Sequence, residues 1–70
     1  MDYAEIKFKA DQVIKAMEKL PQGYRIVFSL YLLEGYDHGE IAEILDITES
    51  TSKSQFLRAK KKLKEIMSHE

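Results

Sequence analysis

Apolar positions along the chain recur every three or four residues and never alternate strictly, so helices are the only regular elements the pattern predicts. The first helical stretch runs from about Tyr3 to Leu20. Ile6, Ala10, Val13, Ile14 and Met17 form its apolar stripe, and Phe8 falls off it. Leu20-Pro21 closes this helix, because a proline pushes the residue before it out of the α region. Pro21 suits the first turn of a second helix, where its missing N–H is not needed. That helix extends to about Glu34, and Gly35 can end it in a left-handed turn. Tyr24, Val27, Phe28 and Tyr31 lie on one of its faces, and Ile26, Leu30 and Leu33 on another. A helix apolar on nearly every side is either wholly buried or shares a face with a partner. A chain of this size buries only about 60% of its unfolded surface. A contiguous exposed apolar patch is therefore expected on the first two helices. Tyr24, Phe28, Leu30, Tyr31 and Leu33 are the candidate protein-interface residues.

The next signals are shorter. Asp37 followed three residues later by Glu40 reads as a capping box that opens a third helix, with Ile41, Ile44 and Leu45 turned inward. Asp46-Ile47 leaves room only for a tight turn. Thr48 is an N-cap for a fourth helix, and Glu49 suits the positive end of its dipole. This helix reaches about Met67, with Phe56, Ala59, Leu63 and Ile66 as its inward stripe. A short helix, a tight turn and a longer capped helix make a helix-turn-helix, here spanning about 37–67, whose second helix enters the DNA major groove. Ala42 is small enough for the helix crossing, and Ile47 can fill the gap between the helices. The expected fold is all-α: one small four-helix domain over 1–70, with a three-helix DNA-binding core and no wing.

Composition supports this reading and removes several others. With 70 residues, 44% apolar and 33% charged, the chain is long enough for one globule and too apolar for disorder. It has no cysteine, so disulfides and thiolate zinc sites are excluded and a reducing compartment is expected. His38 and His69 are too few and too far apart for a metal site, and no cofactor is expected. Asp2 and Glu5 stand where a secretory leader carries positive charge, and no apolar run approaches the roughly 20 residues of a membrane span. A cytoplasmic protein without membrane contact is expected. The net charge of −1 hides a division: residues 1–47 carry nine acids and five bases, whereas residues 48–70 carry three acids and six bases. A basic second part points toward a polyanion.

Within the fourth helix, Ser50, Lys53, Ser54, Leu57, Arg58, Lys61 and Lys64 fall opposite the inward stripe. Hydroxyls come first and long cations after them. The N-terminal part of such a helix reaches base edges, while Lys and Arg around it meet phosphates. Asp37, His38, Glu40 and Glu43 could in principle do acid–base chemistry, yet no nucleophile, phosphate loop or metal spacing accompanies them. Helix capping and solvated surface explain them better, so no catalytic residue is expected. Two other readings stay open on pattern alone. One is the DNA-binding domain of a response-regulator-type transcription factor; the other is a stand-alone helical protein-interaction module.

The residues Leu20-Pro21 through Phe28, Tyr31, Glu34-Gly35-Tyr36, Glu40-Ile41-Ala42, Leu45, Ile47 and Thr51 through Leu63 carry a resemblance. Together they resemble region 4, the C-terminal domain, of bacterial sigma factors, most closely the extracytoplasmic-function group. The resemblance implies binding to the minus-35 promoter element in double-stranded DNA and docking on core RNA polymerase, with an anti-sigma factor as a further partner. By position it implies that Lys53, Ser54, Leu57 and Arg58 read the major groove and that Thr51, Lys60 and Lys61 contact the backbone. The chain departs from the family pattern at three positions. Asp46 stands where glycine is common in the turn. Ser52 replaces a branched apolar residue and puts a hydroxyl on the inward side. Gln55 replaces a common arginine, removing a cation and lessening phosphate attraction. No counterpart of the family's region 2 lies within the 70 residues, so an excised domain or a stand-alone relative is expected.

Overall fold

The computed structural model describes residues 3–68, with side chains from residue 10 onward. Four helices follow in order: α1 (Tyr3–Met17), α2 (Gln22–Leu32), α3 (His38–Leu45) and α4 (Glu49–Ser68), with no strand among the described residues. α4 is the spine, and α1, α2 and α3 all pack against it, while α2 also meets α3. The core gathers Ala16, Met17 and Leu20 from the end of α1, Phe28 from α2, and Ala59 and Leu63 from α4.

α1 ends as expected before Pro21, in a tightened turn where the N–H groups of Glu18, Lys19 and Leu20 each bond the carbonyl three residues back. Its buried edge is Val13, Ala16, Met17 and Leu20, at spacings of three, one and three. Ala10 and Ile14 are exposed, so the expected stripe is rotated by part of a turn. Ala16, fully buried, is small enough to let α1 approach α4 closely, and that contact decides the face. The expectations for Ile6 and Phe8 fall on side chains outside the described residues, as does that for His69.

Pro21 precedes α2 as its cap residue, one position before the expected first turn, with φ −53° and ψ 145°. Its carbonyl accepts the Arg25 N–H at 3.0 Å. Val27 and Phe28 are buried, whereas Ile26, Tyr31, Leu32 and Leu33 are exposed. The helix stops two residues before Glu34; Gly35 then takes φ 79°, and the Tyr36 N–H turns back to the Leu30 carbonyl at 3.0 Å.

The capping box of α3 is present in both directions. The Asp37 carboxylate accepts the Glu40 N–H at 2.8 Å, and the Glu40 carboxylate accepts the Asp37 N–H at 3.1 Å. The inward line of α3 is His38, Ile41, Ala42 and Leu45, all half-buried except the fully buried Ile41. Ile44 does not belong to it and is 51% exposed. An eight-residue helix can bury only one line of side chains between α2 and α4, and Ile44 lies on its other flank.

Asp46 supplies the tight turn. It sits at φ 55° and ψ 49°, the left-handed region, and its N–H and that of Ile47 both return to the Ala42 carbonyl. Thr48 then caps α4 by accepting the Thr51 N–H at 3.0 Å. The expected inward stripe of α4 is in place, with Ala59 and Leu63 buried and Phe56 and Ile66 half-buried.

The turn generates a stability prediction. Removing the side chain in Asp46→Gly relieves about 1–2 kcal/mol of left-handed strain. Roughly 0.4–1 kcal/mol returns through the looser unfolded chain. A net gain of about 0.5–1 kcal/mol is expected, read as a thermal midpoint roughly 2–8 °C higher. Asp46→Val should lower the midpoint, and a glycine variant that melts earlier than the parent contradicts this account of the turn.

Candidate nucleic-acid interface

The orientation of α4 is set by a cluster in which three helices meet. The Phe56 ring stacks on Phe28 of α2 at 5.4 Å and meets Tyr31 at 4.6 Å. His38 of α3 stacks on Tyr31 at 4.6 Å and turns its edge to Phe56 at 5.7 Å. Beneath these rings Ser52 is fully buried, with its Oγ 2.8 Å from His38 Nδ1. The two share one hydrogen bond, donated by the hydroxyl or by the ring N–H according to the imidazole tautomer. The inward hydroxyl of Ser52 thus has a partner fourteen residues away. His38 is accordingly no solvated surface residue.

With α4 locked on that side, its opposite face is free. Ser50, Thr51, Lys53, Ser54, Leu57, Arg58, Lys60, Lys61 and Lys64 are all exposed. Leu57 is 64% exposed, a large apolar side chain held out on a polar face. Glu49 pairs with Lys53 at 3.6 Å and Glu65 with Lys62 at 3.8 Å, both in the open, where such pairs contribute little. Among the described residues, Arg58, Lys60, Lys61 and Lys64 have no acidic partner. All eight candidate DNA-contacting residues therefore stand on the solvent side of α4, hydroxyls near its N-terminus and unpaired cations beyond.

Gln55 lies elsewhere. It is half-buried and lines an apolar cleft of about 170 Å³ with Gly23, Ile26, Val27, Leu45, Ile47 and Thr51. Its Oε1 is buried without a hydrogen-bond partner. Position 55 faces α2 and the turn, so its effect is on packing, not on phosphate attraction as expected from the sequence.

The candidate protein-interface residues divide. Phe28 is 4% exposed and belongs to the core, which corrects its place in that set; its ring is held by Phe56. Tyr24 and Leu30 are half-buried, Tyr31 shares its ring between solvent and His38, and Leu33 is 57% exposed. Leu32 and Tyr36 are exposed apolar residues outside the expected faces, and Ile14, expected on the stripe of α1, is exposed as well. Leu32 and Tyr36 flank the named residues at the end of α2, so exposure there was the available signal. Among the described residues no group of His, Asp and Glu is arranged to hold a metal ion, and no helix is long and apolar enough to cross a membrane.

A helix-turn-helix with a polar, basic outward recognition helix defines a DNA-binding module. Its kind follows from comparison with protein families: the model for sigma-70, region 4 matches residues 10–63. That is most of the chain, so the protein belongs to the sigma-70 region 4 family, whose members are DNA-binding parts of the transcription-initiation machinery and not enzymes. Membership implies recognition of the minus-35 promoter element, and it selects the sigma reading over the response-regulator alternative. Comparison with curated proteins and with solved structures gave no match.

The buried pair yields a test of how α4 is positioned. Ser52→Ala leaves a half-buried imidazole nitrogen unpaired and should cost about 1–2 kcal/mol in chemical denaturation. Adding His38→Phe should recover most of the loss, because nothing polar is then left unpaired. Simple addition of the two single losses in the double variant contradicts a shared hydrogen bond.

Proposed function

We propose that this chain, one compact region 4 domain of the extracytoplasmic-function type, reads a minus-35 promoter element through α4 and docks on core RNA polymerase through the apolar end of α2. Lys53, Ser54, Leu57 and Arg58 read base edges, and Leu57 meets a thymine methyl group, the one apolar feature of the major groove. Ser50 and Thr51 meet the DNA strand near the N-terminus of α4, and Lys60 and Lys61 hold phosphates further along. The observation that carries the reading is the exposure of all these side chains on one helix whose opposite face is buried.

For the polymerase, support comes from Leu32 and Leu33, both more than half exposed at the end of α2. Tyr31 and Tyr36 extend that apolar edge. Exposed apolar clusters generally mark interaction surfaces. The same edge serves an anti-sigma factor, which would compete with the polymerase. A cytoplasmic location goes with these partners.

Two measurements test the proposal. If the charges of Lys53 and Arg58 in the groove and of Lys60 and Lys61 on the strand each displace one counterion, log K for duplex binding should fall against log salt with a slope of about −3.6. Binding should also be tighter to a minus-35 duplex than to its scrambled version, with a dissociation constant weaker than micromolar for the isolated chain. Salt-independent binding, or equal affinity for both duplexes, sinks the promoter reading. Separately, Leu33→Asp should weaken association with purified core polymerase at least tenfold and leave duplex affinity unchanged. An unaltered affinity for the polymerase removes the α2 edge as its docking site.

A further inference from the structure

A second cleft, of about 220 Å³, opens between the start of α2 and the second half of α4. Tyr24, Arg58, Lys61, Lys62 and Glu65 line it. Lys62 and Glu65 neutralise each other at 3.8 Å. Arg58 and Lys61 have no acidic partner among the described residues, and Tyr24 adds a phenolic O–H that no described group engages. Two cations and one neutral donor therefore converge on one small, open site. Such a set matches an oxyanion with several acceptor atoms.

The position of the cleft says which oxyanion. Lys61 lies four residues after Leu57 and seven after Ser54, so it continues the outward face of α4. A helix lying in a groove about 12 Å wide has a phosphate strand along each flank. The flank of α4 turned toward α2 carries this cleft.

We propose that Tyr24 is a DNA contact, and that its hydroxyl and the Lys61 ammonium hold one phosphate of the strand flanking the groove. This rests on the reading of α4 as the recognition helix, and it moves Tyr24 from the protein-docking surface to the nucleic-acid face. The ring of Tyr24 packs against the core, so α2 fixes the hydroxyl in place before DNA arrives. Such a contact adds affinity and register without sequence information.

The experiment uses fluorescence anisotropy with labelled minus-35 and scrambled duplexes at several salt concentrations. It compares the parent chain with Tyr24→Phe, Lys61→Gln and the double variant. Tyr24→Phe keeps the packed ring and removes only the hydroxyl. It should weaken both duplexes by the same factor, about three- to tenfold, with an unchanged salt slope. Lys61→Gln should reduce the magnitude of the slope by about 0.9. The double variant should lose less than the product of the single losses, since both groups serve one phosphate. Arg58 is left intact because its loss would not separate base reading from phosphate holding.

Parent-like affinity of Tyr24→Phe for both duplexes, or independent losses in the double variant, overturns the inference. So does tight binding of inorganic phosphate at Tyr24 that leaves duplex affinity untouched, since the site would then serve a free anion. A parent chain that fails to bind either duplex removes the proposed function itself, and this contact with it.

Discussion

One part-buried hydrogen bond, between Ser52 and His38, ties α3 to the helix that carries the basic outward face. A serine hydroxyl sealed from water costs free energy unless it finds a partner. Here the partner comes from another helix, 2.8 Å away. The bond is roofed by Tyr31 and Phe56, so α2, α3 and α4 are tied at one point. It is one of the contacts that hold α3 against α4. The turn at Asp46 closes the same unit from the other end, by returning two N–H groups to the Ala42 carbonyl.

From that constraint the division of labour on α4 follows. Ser52, Phe56, Ala59, Leu63 and Ile66 face inward, Gln55 faces α2, and the exposed positions carry what the protein shows to its partner. Those positions hold hydroxyls first and cations later. The acids beside them are few: Glu49 and Glu65 pair with Lys53 and Lys62. The first part of the chain, rich in acids, contributes packing and the apolar edge of α2. Charge separation along the sequence thus becomes a separation of surfaces, a basic one along α4 and an apolar one at the end of α2.

Much of this was legible in the sequence wherever the signal was local. The capping box at Asp37 and Glu40, the left-handed Asp46, the Thr48 cap and the inward stripe of α4 each rest on residues within one or two turns of each other. The outward face of α4 followed from its stripe. What the sequence hid depended on which flank of an apolar helix its neighbours choose. Ile44 and Ile14 lie on correct helices but on the free flank, while Ala16, too small to weigh in a pattern, marks the real contact of α1. His38 read as helix capping or solvated surface because its partners, Tyr31, Ser52 and Phe56, are distant in sequence. Gln55 looked like a lost phosphate contact because its burial against α2 is a tertiary fact. Phe28 sat on an apparent docking face until Phe56 claimed it.

On the proposed reading, DNA meets the face of α4 opposite the buried serine. The most direct measurement is a titration of the isotopically labelled chain with a short minus-35 duplex, followed by amide and side-chain chemical shifts. The largest changes should fall on residues 50–61 of α4, while Leu32, Leu33 and Ile14 stay unmoved. Shifts concentrated on the end of α2, with α4 silent, would contradict it.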